Sequence, residues 1–173
     1  MTRTLAILSL AASSAICLAD APLSAPEKYR ICDYTVTYCA SLVPEEDTRI
    51  YKIVGDLDAP RSELIYTIPG WHRSAHISST GEYFVTGYPG LGLLPLDVKG
   101  SQVVVTIWKR GKIHQTVSIG QVLKSMDSLK RTASHYSWGH IAGVSGSVVQ
   151  VETVEGRVWI VLATGEVEFG DGS

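Results

Sequence analysis

The chain has 173 residues, with 15 basic and 17 acidic side chains and a formal net charge of −2. Its length suits one domain with a real core, and 45% hydrophobic against 18% charged residues exclude an intrinsically disordered chain. The near-neutral balance leaves no electrostatic footprint for nucleic acid.

Residues 1–19 read as a secretory signal peptide. Arg3 supplies the positive start, residues 5–18 are apolar or small, and Ala19 stands at the cleavage position before Asp20. The apolar run is shorter than the roughly 20 residues that cross a bilayer. Ile16 is too bulky to precede a lipid-modified Cys17. The expectation is a periplasmic chain with no membrane span in its mature form. Residues 20–28 then form a flexible lead and residues 29–173 a single β-rich domain. Cleavage removes Arg3 and no acidic residue, which moves the net charge from −2 to −3.

Two cysteines remain, Cys32 and Cys39. In an oxidising compartment they are expected to close a disulfide, which over so short a loop contributes about 2.5 kcal/mol. From there the chain alternates as strands do, over residues 37–42, 49–54, 63–68, 82–86, 103–108 and 113–119. Val122, Leu123, Met126 and Leu129 share one face of a helical period, predicting a helix over residues 120–130. Strand patterns resume at residues 148–154 and 158–162. Arg110-Gly111, Glu155-Gly156 and Thr164-Gly165 mark tight hairpins.

These strands group into three units, beginning near Tyr29, His72 and Gly139. Cys32 and Cys39, Ile77 and Phe84, and Val144 and Val151 each stand seven apart across a turn, a spacing that suits cross-strand pairs. The agreement favours a true repeat. The stretch Ser78-Ser79-Thr80-Gly81-Glu82-Tyr83 resembles the first strand-turn-strand of a β-propeller blade, with Thr80 where an Asp is usual. Val158 to Glu166 looks like a blade's outer hairpin. The resemblance implies an all-β fold of three antiparallel meander sheets like propeller blades. Closed propellers use typically 4–8 blades, so no closed ring is expected. A β-sandwich is the alternative.

Sites of chemistry are sparse in the sequence. Gly143-Val144-Ser145-Gly146-Ser147 lacks the last glycine of a nucleophile elbow, and no phosphate-cradling loop occurs. His72 and His76 share a strand face, yet a metal site needs three or four converging ligands. Ser134 and His135 are adjacent, and neighbours on an extended chain point to opposite faces, so they are not expected to pair. No catalytic residue, metal or cofactor is therefore assigned.

Two segments suit recognition. Residues 88–96 are apolar but broken by Pro and Gly, and they interrupt the second unit; Tyr88, Leu91, Leu93 and Leu94 are candidate contacts. Residues 134–140 offer Ser134, His135, Tyr136, Ser137 and Trp138, a mixture of aromatic anchors and adaptable polar groups. In size and make-up the chain resembles small exported inhibitors. Among these are immunity proteins that shield a bacterial cell wall from secreted peptidoglycan-cleaving toxins. The resemblance implies a non-enzymatic protein whose partner is another protein, blocked by insertion of a loop into its cleft. The alternatives are a structural or assembly component of the cell envelope, and a metal-dependent hydrolase built on the histidines.

Overall fold

A computed structural model describes residues 22–55 and 59–170, so the export signal read in residues 1–19 lies outside the described residues. The first unit is a four-stranded antiparallel sheet of β1 (Tyr29–Cys32), β2 (Tyr38–Leu42), β3 (Thr48–Val54) and β4 (Arg61–Ile68). The second begins with β5 (Ala75–Ile77) and β6 (Tyr83–Gly87). After β7 (Leu93–Pro95) leaves it, the second sheet is completed by β8 (Val103–Lys109) and β9 (Lys112–Ser118). A connection containing β10 (Lys130–Arg131) and β11 (His135–Ser137) leads to the third. That sheet holds β12 (Gly139–Ser145), β13 (Val148–Thr153), β14 (Gly156–Val161) and β15 (Val167–Phe169). Among the described residues the fold is thus mostly β, with three four-stranded meanders and a small three-stranded sheet, and the meanders close no ring.

Alternation along the strands decides what each sheet covers. In β6, Phe84 points to one side and Tyr83 and Val85 to the other. Phe84 joins Ala40, Leu42, Ile50, Ile68 and Ile77 in a core between the first and second sheets. Val85, Val105 and Ile107 join Val149, Val151 and Ile160 in a larger core between the second and third. The second sheet is therefore apolar on both faces and forms the shared middle layer. Trp108, which packs against the first core, donates its indole N–H to Thr86 Oγ1 at 3.1 Å, so its polar edge is satisfied.

The Cys32–Cys39 disulfide forms, with the two residues directly opposite each other in the β1–β2 ladder. Ile77 likewise faces Phe84 across β5 and β6. The third expected pair is corrected: Val144 faces Val149, and Val151 faces Ile141. A two-residue turn joins Ser145 to Val148, with Gly146 at φ 57°, where the first two units use a longer turn. The register also slips between Ile141 and Gly143.

The expected helix over residues 120–130 is reduced to one α turn, Ile119–Val122, and one 3-10 turn, Met126–Ser128. Gln121 Oε1 accepts from Ser118 N–H at 2.9 Å and starts the turn well. Its continuation fails because Glu155 intervenes. Its carboxylate accepts from Lys124 N–H at 2.5 Å and Ser125 N–H at 3.1 Å, the donors a longer helix would have turned inward. A tertiary carboxylate thus outcompetes a short helix that is marginal by itself. Val122 and Leu123 are still buried, so the apolar pattern serves the core without a helix.

Two histidines should make the fold sensitive to acid. His72 lies against Phe84 and Trp108, at ring-centroid distances of 6.3 and 5.8 Å, and its Nε2 has no hydrogen-bond partner. Burial holds its pKa below the ordinary imidazole value, against a hydrogen bond to Pro69 that raises it. Burial, with the nearby His140, likewise lowers His76. Both groups bind protons more readily in the unfolded chain. Stability should therefore be full above about pH 6.5 and fall as the pH drops through the lowered folded-state values. Thermal melts at pH 7.5 and pH 5.5 check the sign. His76→Gln should flatten the slope.

Candidate binding surfaces

The two segments expected to bind a partner pair with each other. In the three-stranded sheet, His135 faces Pro95, Tyr136 faces Leu94 and Ser137 faces Leu93. Trp138 extends the join, donating its backbone N–H to Gly92 O at 3.0 Å and its indole N–H to Leu91 O at 2.9 Å. Pro and Gly in residues 88–96 keep this strand to three residues, as their missing donor and loose backbone require.

This pairing divides the expected contacts. Leu94 and Trp138 are fully buried in the larger core, so their assignment as partner contacts is corrected. A Leu and a Trp this apolar gain more from the core than from water. Tyr88 and Tyr136 are half-buried against the same core, and Leu93, His135 and Ser137 are half-buried in the sheet. Leu91 and Leu96 are 40% and 41% exposed, and Ser134 is exposed. The face that remains is small and lies at the sheet's margin.

Ser134 Oγ lies 2.9 Å from His135 Nδ1, which corrects the expectation that these neighbours point apart. Ser134 sits in a bend before β11, so the alternation rule for strands does not reach it. Among the described residues no group of three or more His, Cys, Asp or Glu side chains converges as a metal site would require.

A second surface was not singled out from sequence: the tip of the β1–β2 hairpin. Asp33, itself buried, accepts from Thr35 N–H at 2.9 Å and Tyr38 N–H at 2.6 Å, and from the Thr35 hydroxyl. Burial raises the carboxyl's pKa, but the hydrogen bonds from Thr35, Tyr38 and Thr37 outweigh it and hold it below its ordinary value. The charged carboxylate thus ties the turn from inside, directly above the disulfide. Tyr34 projects from this braced turn and is 98% exposed.

The corresponding turn in the second unit has the same hydrogen bonds. Ser78 takes the place of Asp33: its N–H reaches Tyr83 O at 3.0 Å, and its Oγ accepts from Tyr83 N–H at 3.1 Å. Gly81 N–H then reaches Ser78 O at 2.9 Å, as Val36 N–H reaches Asp33 O at 3.0 Å. Both turns need a left-handed residue at that point, Gly81 at φ 65° and Val36 at φ 57°. Glycine adopts this freely, whereas a β-branched residue is strained there by about 1–2 kcal/mol. Val36 is 56% exposed, so packing does not repay the strain. Aligning the two turns residue by residue places Val36 opposite Gly81, and that was the available sequence signal.

Comparison with protein-family models, with curated proteins and with solved structures gives no match.

Proposed function

We propose that this chain is a periplasmic protein-binding domain that blocks a secreted cell-wall-degrading enzyme, with the hairpin tip around Tyr34 entering the enzyme's cleft. The observation that carries the reading is the tip itself: a strained, exposed Val36 beside a fully projecting Tyr34, on a turn held rigid by Asp33 and the disulfide. Local strain without a packing return is a mark of a functional position. Rigid aromatic side chains make effective anchors because little conformational freedom is lost when they are buried. The export signal read in residues 1–19 and the disulfide suit the compartment where such enzymes act. Leu91, Leu96 and Ser134 offer a second, smaller contact. A standard interface of this kind buries on the order of 1,600 Å² in total.

The protein from residue 20 onward, immobilised and exposed to envelope and secreted fractions, should retain a peptidoglycan hydrolase identifiable by mass spectrometry. Added in stoichiometric amount, it should stop that enzyme clearing cell-wall suspensions. Tyr34→Ala should weaken inhibition by roughly 30-fold, the effect of losing a central anchor. Its melting temperature should not move, because the side chain touches little in the free protein. Recovery of no hydrolase would sink the reading. Undiminished inhibition by Tyr34→Ala would remove the tip from it.

A further inference from the structure

The two outermost faces of the stack of sheets carry the next inference. The middle sheet is covered on both sides, but the first and third sheets each have one face that belongs to neither core. On the first sheet, Cys32, Cys39, Tyr51 and Leu64 stand in one cross-strand row, with Ile53 beside it. A second row on that face is Arg30, Ser41, Arg49 and Thr67. On the third sheet, Gln150, Trp159 and Glu168 stand in one row, with Val148 and Val161 in the next. Its remaining row is His140, Glu152 and Arg157.

Stacked in the sense that the chain's own sheets follow one another, these faces match level by level. The disulfide, Tyr51 and Leu64 would meet the row of Gln150, Trp159 and Glu168, in which the Trp159 ring is the apolar member. The arginine row would meet the row that holds Glu152. The signs are also complementary. The outward face of the first sheet carries Arg30 and Arg49 and no acid, Glu63 of β4 standing opposite Lys52 on the other side, whereas the outward face of the third carries Glu152 and Glu168 against Arg157. Among the described residues Arg30 and Glu168 make no ion pair, whereas Arg49 pairs with Glu46 at 3.2 Å and Glu152 with Arg157 at 3.0 Å.

We infer that the occupant of each face is a second copy of this chain, two copies closing a six-sheet ring in which the first sheet of each packs on the third sheet of the other. Three stacked sheets fall short of the four to eight that close rings, and two copies supply six. A head-to-tail contact that closes after two steps satisfies both faces with one two-fold operator. The inference concerns the outer sheet faces, the first of which begins at the disulfide beneath the Tyr34 tip, and it does not depend on the inhibitor reading.

Sedimentation equilibrium and light scattering on the protein from residue 20 onward, from low micromolar to submillimolar concentration, test it. The expected species is a dimer. Tyr51→Glu and Trp159→Arg should each weaken it at least tenfold while the melt of the dilute monomer keeps its wild-type cooperativity. Mixing these two variants should restore a dimer, because one junction is then wild type and the other sets Glu against Arg. A wild-type chain that stays monomeric at the highest concentration overturns the proposal. So do open-ended polymers, or a dimer indifferent to both substitutions. Failure of the mixture to recover rules out the reciprocal packing even if a dimer exists. Loss of folding in either variant is checked by circular dichroism. In that case Tyr51→Ser and Trp159→Ser replace them, with the same weakening expected.

Discussion

Phe84→Ala should lower stability by about 3–5 kcal/mol, the usual cost of removing a fully buried aromatic side chain and leaving a cavity. Phe84 is fully buried on the middle sheet, facing Ile77 on one neighbouring strand and Trp108 on the other. Its ring also meets that of His72 in an edge contact, with centroids 6.3 Å apart. The surrounding strands are pinned by ladder hydrogen bonds, so the cavity cannot collapse without breaking register. For a domain of this size each kcal/mol moves the midpoint by roughly 2–4 °C, so thermal unfolding should begin about 10 °C lower. Urea titration supplies the free energy directly. A loss under about 1 kcal/mol would mean that Phe84 is not a core residue and that the second unit is packed differently.

Gly139→Ala should be nearly as damaging for a different reason, by about 3 kcal/mol. Gly139 has φ 146°, and a Cβ there would lie 2.0 Å from the carbonyl oxygen of Glu152 and 2.8 Å from Thr153 Cα. Both neighbours are backbone of the partner strand, since Gly139 faces Thr153 in the β12–β13 ladder. No rotamer change relieves such a clash; the strands must separate. The same residue follows Trp138, so its displacement also disturbs the join to residues 91–92. Gly143→Ala is the control, because a Cβ at Gly143 meets nothing within 4 Å, and its effect should stay within about 0.5 kcal/mol. Equal melts for the two variants would contradict the backbone conformation at Gly139.

The three meanders were legible because period-two alternation and turn residues are local signals, and Cys32, Ile77 and their partners sit where hairpin geometry puts them. What failed in the sequence reading depended on distant residues. Val122 to Leu129 keep a helical period, but Glu155 takes the backbone donors of Lys124 and Ser125, and nothing near residue 124 announces it. The sequence pairs Val144 with Val151, two residues beyond its partner Val149, because alternating valines do not show that the turn at Gly146-Ser147 has only two residues. Three-residue strands such as Leu93–Pro95 fall below the length at which periodicity is readable. Residues 88–96 and 134–140 were legible as irregular segments rich in apolar and aromatic residues, yet sequence could not tell that they satisfy each other. That partnership is why Leu94 and Trp138 belong to the core while Leu91 and Leu96 remain outside. The Tyr34 tip needed a comparison between units, since only Gly81 reveals that Val36 occupies a glycine position.

The small three-stranded sheet also has a consequence for how the chain reaches its final form. Each four-stranded sheet joins strands in their chain order, so its contacts are local and can form quickly. The β7–β11 pairing is not local, and the Trp138 bond to Leu91 spans 47 positions. In a chain emerging from its N-terminus, residues 88–96 leave the second sheet with Leu94 uncovered until Trp138 arrives. During that interval an apolar segment and an unpaired strand edge are open to other molecules, the conditions that favour aggregation. The stitch between the second and third units thus sets the most vulnerable moment in the chain's maturation, and variants that delay it should lower yield more than they lower stability.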